Sequence, residues 1–179
     1  MSKTFWDKVA GLYDLAEFTN AKVNAAARKR VGELIPAGAR VLDCAAGTGE
    51  FSLAAAKRAG SVLCTDLSLP MLDKARKKAK KQGISNIAFA QRDITALPDP
   101  DGAFDAVIAG NVLHLLDDPE PAVRELWRVT APGGRLMDGV AVPGICIGAH
   151  NHLGRSRQDR CGSNKWQQVF LSKFHGKFI

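Results

Sequence analysis

No stretch of the chain reaches the roughly 18 uninterrupted apolar residues of a membrane span, and its first residues, MSKTFWDKVAGLYD, hold no long apolar run. Neither a spanning helix nor a secretory leader is therefore expected, and the cytoplasm is the expected compartment. No CxxC pair occurs among Cys44, Cys64, Cys146 and Cys161, which argues against a disulfide framework and a zinc knuckle. Cys44 and Cys64 lie inside apolar runs and are expected as small buried thiols. His150, His152 and Cys161 match no familiar ligand spacing, so no metal is expected. There is no internal repeat, and no low-complexity tract precedes the tail.

What remains is a 179-residue chain, 46% hydrophobic and 24% charged, enough for one domain with one sizeable core and too little for two. The formal charge of +7 suggests nucleic acid until it is located. From Gly139 onward six Lys or Arg face one acid, Asp159, while the first 138 residues are nearly balanced. The other basic cluster, Lys74 to Lys81, has no interleaved aromatics and reads as a solvated helix face.

Periodicity predicts two helices over 4–34, the second from Ala21 to Leu34 after Thr19 and Asn20, stopped by Pro36 and Gly38. Strands follow at Arg40 to Asp43, Val62 to Thr65, Ile87 to Gln91, Phe104 to Ala109 and Gly134 to Met137. Helices are expected between them at Gly49 to Ala59, Leu69 to Gln82 and Pro119 to Val129. Such alternation implies βαβ units and a parallel sheet covered on both faces, with the binding crevice at the carboxyl ends of the strands.

Three loops leave those ends. In VLDCAAGTGEF, small residues let a ligand lie against the backbone, and amides at a helix start attract a carboxylate. Asp43 would repel a pyrophosphate but suits a ligand carrying an ammonium beside its carboxylate. In CTDLS, Asp66 stands 17 residues after Gly49, where a carboxylate accepts from both ribose hydroxyls, with Leu67 and Met71 as an apolar wall. In QRDITALP, Asp93 is a candidate acceptor for an adenine amino group and Ile94 packs on the ring.

With VLDCAAGTGEFS, CTDLS, RDITALP, FDAVIAGNVLHLL and VTAPGGRL in this order, residues 5–137 resemble the class I S-adenosylmethionine-dependent methyltransferases of the ubiquinone/menaquinone, small-molecule branch. The resemblance implies a Rossmann-like, doubly wound α/β sheet of strand order 3-2-1-4-5. It also implies S-adenosylmethionine as cofactor and S-adenosylhomocysteine as product. Asp43, Gly47 and Gly49 would hold the methionine end, Asp66 the ribose, Asp93 and Ile94 the adenine, and Asn111 would line the pocket. Tyr13 resembles the family's lid tyrosine, or is a helix-face aromatic packed in the core. Ala45 replaces the first glycine usual in the family, which alanine tolerates where φ is negative.

Methyl transfer asks little of side chains, so the catalytic residues stay unassigned and His114 is read as structural or exposed. AGNVLH lacks the Asn/Asp-Pro-Pro-aromatic arrangement of amino-methylating nucleic-acid enzymes, and no Pro-Cys is present. The expected partner is thus a small-molecule acceptor, not nucleic acid. A nicotinamide-dependent oxidoreductase is opposed by Asp43 and by Ser52, which stands where a third glycine is wanted. A third reading is a cofactor-binding protein without turnover, acting on RNA or a partner through the basic tail.

Residues 1–138 are expected to form the cofactor domain and 139–179 an atypical basic tail, truncated or aberrant, in place of the family's closing strand pair. Strand five then becomes a sheet edge open to self-association.

Overall fold

The computed structural model describes residues 21–139 and 148–150; the expected first helix, Tyr13, and tail residues 140–147 and 151–179 lie outside these. Helix α1 (Ala21–Leu34) leads into β1 (Arg40–Asp43), α2 (Glu50–Ala55), β2 (Ser61–Asp66), α3 (Leu69–Lys81) and β3 (Ile87–Gln91). Then come β4 (Phe104–Gly110), a 3-10 turn (Leu113–Leu115), α4 (Glu120–Val129), β5 (Thr130–Gly139) and β6 (Gly148–His150). The sheet runs β3-β2-β1-β4-β5-β6, its first five strands all parallel.

Alternation along the central strands sorts the core onto two faces. Val41, Val62, Ala106, Ile108 and Met137 pack with Val31 and Ile35 below α1 and with Ala55, Ala56 and Ala59 at the end of α2. Leu42, Cys44, Val107, Ala109 and Leu136 point the other way, against Ala122, Leu126 and Val129 of α4. Cys64 meets Leu72 and Ala75 of α3. Helices on both faces make the doubly wound arrangement, and both central strands are buried on both sides as parallel strands require.

Local chemistry fixes the helix ends. Ser68 caps α3, its Oγ accepting from Met71 N–H at 3.4 Å with Pro70 in the first turn, while Lys78, Lys80 and Lys81 complement the dipole at the last turn. At α4 Pro119 is the N-cap, and Asp118 just before it accepts from Glu120 N–H at 3.0 Å. Between β4 and β5, Phe104 pairs with Thr130 but Ala106 with Arg135, so Ala131-Pro132-Gly133-Gly134 bulges from the ladder.

The tail corrects one expectation. Strand β5 is not the sheet edge along its whole length, because β6 pairs antiparallel with it, Leu136 opposite His150 and Asp138 opposite Gly148. Backbone pairing of the exposed ladder drives this, and polar composition without period gave no sign of it.

Leu126 is wholly buried where α4 meets β4 and β5. Leu126→Ala is expected to cost about 2–5 kcal/mol of unfolding free energy in urea titrations, without a change of slope.

Candidate cofactor site

From β1 the chain winds outward through β2 to β3, and from β4 it winds the opposite way to β5. The crevice of such a sheet opens where those directions part, at the carboxyl ends of β1 and β4. Among the described residues, Ala45 (φ 50°) and Asn111 (φ 59°) are the non-glycine residues with positive φ, and each follows one of these two strands. The condition under which alanine replaces the family's glycine without strain, a negative φ, is not met at Ala45. Its neighbours impose it: Cys44 N–H donates to Ile108 O at 2.8 Å and Ala46 N–H to Thr65 O at 2.9 Å, pinning the turn on both sides. Holding alanine there costs about 1–2 kcal/mol.

The glycine loop follows. Gly49 has φ 81°, and a Cβ there would stand 2.7 Å from Ala75 Cβ, so only glycine lets α3 approach the loop this closely. Gly47 N–H donates to Asp66 Oδ2 at 2.8 Å, and Ser68 N–H donates to Asp66 Oδ1 at 2.8 Å. One carboxylate at the tip of β2 thus fastens the glycine loop to the second loop. Lys78 on α3 donates to Thr48 Oγ1 at 2.8 Å and to Glu50 Oε1 at 2.8 Å, and Arg28 of α1 joins Glu50 at 3.1 Å.

Asp43 is fully buried beneath this loop. Its Oδ2 accepts from Ser52 Oγ at 2.6 Å, its backbone O accepts from Thr65 Oγ1 at 3.1 Å, and its Oδ1 has no hydrogen-bond partner among the described residues. Burial pushes its pKa up to about 7, Ser52 pulling it down and the nearby Asp66 charge adding to the rise. Ser52, noted in the sequence only as a missing glycine, is the residue that organises this carboxylate.

The third loop presents Asp93 at the surface. Thr95 N–H and Oγ1 both donate to Asp93 Oδ1, at 2.8 and 2.7 Å, leaving Oδ2 without a partner among the described residues. Arg92 N–H donates to Asp66 O at 3.2 Å, which sets this loop beside the second. The expected apolar wall divides: Leu67 is 37% exposed, whereas Met71 and Ile94 are buried in the packing of α3 and α4. Asn111 is half-buried, and His114 lies exposed on the 3-10 turn. Asp43 and Asp66 thus end β1 and β2, and Asp93 follows β3 by two residues, at graded depth: interior, nearly buried and open. Sequence reasoning did not find the loops' anchors, Lys78 of α3 for the glycine loop and Glu125 and Arg128 of α4 for the third, because long-range pairing leaves no local pattern.

The raised Asp43 pKa links stability to pH. A carboxyl that ionises near 3.8 when unfolded and near 7 when folded favours the fold at low pH, and this advantage, at most about 4 kcal/mol, disappears as pH rises across that window. In Asp43→Asn the position has no such titration. The stability of the natural chain relative to this variant is expected to fall between about pH 4 and about pH 8, read from urea midpoints; a flat difference would show a carboxylate already ionised in the fold.

Ala45→Gly, which relieves the left-handed strain, is expected to be neutral or to stabilise by up to about 1 kcal/mol in the same assay.

Comparison with known proteins follows the same loops. A family described as "Methyltransferase domain" matches residues 41–134, which holds all three. Demethylmenaquinone methyltransferase of Thermus thermophilus is 46% identical over 100 residues, 55% of this chain and 45% of that protein. The ubiquinone/menaquinone biosynthesis C-methyltransferase of Bdellovibrio bacteriovorus is 41% identical over 103 residues, 56% of this chain and 43% of the other. The chain thus spans less than half the length of these relatives. A solved SAM-dependent methyltransferase from Aquifex aeolicus superposes with a TM-score of 0.57 at 26% identity, covering 65% of this chain and 63% of that one. With its sheet order, its glycine loop and its strand-end acids in the matched segment, the chain belongs to the methyltransferase-domain family and is similar there to the ubiquinone/menaquinone-type enzymes.

Proposed function

We propose that this chain binds S-adenosylmethionine across the tips of β1, β2 and β3 and transfers its methyl group to a small-molecule acceptor, leaving S-adenosylhomocysteine. The carrying observation is a buried carboxylate oxygen without a donor, Asp43 Oδ1, under a glycine loop at the switch in strand order. An ammonium beside that oxygen offsets the cost of its burial. The left-handed run of Ala45, Gly47 and Gly49 brings bare backbone against the methionine chain. Asp66, held by two backbone amides, accepts from the ribose hydroxyls. Asp93 Oδ2 accepts from the adenine amino group, with Leu67 against the ring and Ile94 and Met71 supporting from within the core. Tyr13, outside the described residues, closes the site on this reading.

Bound S-adenosylmethionine supplies a methyl group on a positive sulfur, already a strong electrophile. The protein's task is then to orient and to exclude water, which fits a site rich in backbone and poor in acid-base pairs. Asn111, just after β4, lines the cofactor pocket. The relatives' names point to a demethylated quinone ring carbon as acceptor. Residues 1–138 form the cofactor domain, and the buried free thiols of Cys44 and Cys64 fit a reducing, cytoplasmic compartment.

Calorimetric titration with S-adenosylhomocysteine tests the reading. Saturable heat is expected, and Asp66→Ala is expected to weaken binding about tenfold or more. Affinity should rise by about tenfold from about pH 6 to about pH 8 as Asp43 ionises, and Asp43→Asn should abolish that rise. No heat at millimolar ligand sinks the reading. With labelled cofactor, methyl incorporation into a demethylmenaquinone then tests the acceptor.

A further inference from the structure

Helix α4 lies on the face of the sheet away from the glycine loop's helix, yet two of its residues reach the third loop. Its buried stripe, Ala122, Val123, Leu126 and Val129, turns toward the sheet, which leaves Glu125 and Arg128 on one flank at i, i+3 spacing. The pair is bidentate: Arg128 Nε donates to Glu125 Oε1 at 2.8 Å and Nη2 to Oε2 at 2.7 Å. So oriented, Arg128 donates to the backbone oxygens of Leu97, at 2.9 Å, and Asp99, at 2.7 Å. Glu125 Oε2 also takes the Leu97 N–H at 2.8 Å. The ion pair thus satisfies three backbone groups of a segment that belongs to no helix or strand, and an Arg92–Asp99 pair closes the loop on itself.

That grip lies only four positions from Asp93. A tight turn spans them, Ala96 N–H donating to Asp93 O at 3.2 Å, so a displacement of Leu97 carries over to the Asp93 carboxylate. Asp93 is itself exposed, and the donors to its carboxylate, Thr95 N–H and Oγ1, sit on the same loop, so it moves with that loop. The neighbouring bridge from Arg128 to Asp101 is solvent-exposed on the acid's side and adds little.

We infer that Glu125 and Arg128 are positioning residues for the adenine end of the site, setting the place of Asp93 through the backbone of Leu97 and Asp99. This rests on the cofactor reading given above. The pair touches no ligand; it confers preference for a purine that carries an amino group by holding the acceptor still.

The test uses the full chain and two ligands, S-adenosylhomocysteine and S-inosylhomocysteine, in which a ring carbonyl replaces the amino group. Arg128→Met is expected to weaken the adenosyl ligand about tenfold and the inosyl ligand less than about twofold, with Arg128→Lys recovering part of the loss. Glu125→Gln, which keeps an acceptor for the Leu97 amide, is expected to give a smaller loss of the same selectivity and serves if Arg128→Met does not fold. Equal losses for both ligands, no loss for either, or a natural chain that binds the two equally would overturn the inference. A natural chain that takes neither ligand instead removes the cofactor reading itself.

Discussion

A carboxylate sealed in the interior governs this molecule. Asp43 ends the central strand, is fully buried, and keeps one oxygen without a donor. Such a group is costly in isolation, and the surrounding chain is arranged to bear it: Ser52 turns its hydroxyl inward from the first turns of α2, and Thr65 on the next strand takes up the Asp43 carbonyl. The glycine loop then covers the carboxylate and is fastened by Asp66. A fold seeking only stability would place a hydrophobic residue at the end of β1, as it does at Val41 and Leu42. The carboxylate makes sense as half of an interaction whose other half is cationic.

Strain gathers at the same place. Ala45 and Asn111 hold left-handed backbone at the ends of adjacent strands, where both loops leave the sheet. Inter-strand hydrogen bonds force the first of these, so the conformation is set before any ligand arrives. A site whose backbone is already in place loses little entropy on binding, and for a reaction driven by alignment the same rigidity serves the transition state.

Periodicity and end signals made most of the fold legible. Helix α1 and strands β1 and β3 lie at the residues the sequence indicated, because apolar runs bounded by Pro36, Gly38 and Gly83 leave few alternatives. The three acids were legible as strand-end residues but not in their depth: whether Asp43 is open or sealed depends on Ser52 and Thr65, side chains 9 and 22 positions away. The φ of Ala45 could not be read at all, since alanine has no preference for it and neighbouring strands impose it. Likewise β6 carries no alternation; only the waiting ladder of β5 defines it.

The two faces of the sheet divide the work. On one, α1 and α3 brace the glycine loop through Arg28, Lys78 and Glu50, charged groups partly shielded from solvent. On the other, α4 braces the third loop through Glu125 and Arg128, using backbone donors and acceptors in place of side chains. The difference follows from what each loop must do. The glycine loop is stiffened by close contact with α3, so its braces need only hold side chains at its edge. The third loop has Ile94 and Leu97 buried below it but an acid exposed above; Thr95 orients that carboxylate within the loop, and hydrogen bonds from α4 to the loop's main chain fix the loop's place on the sheet.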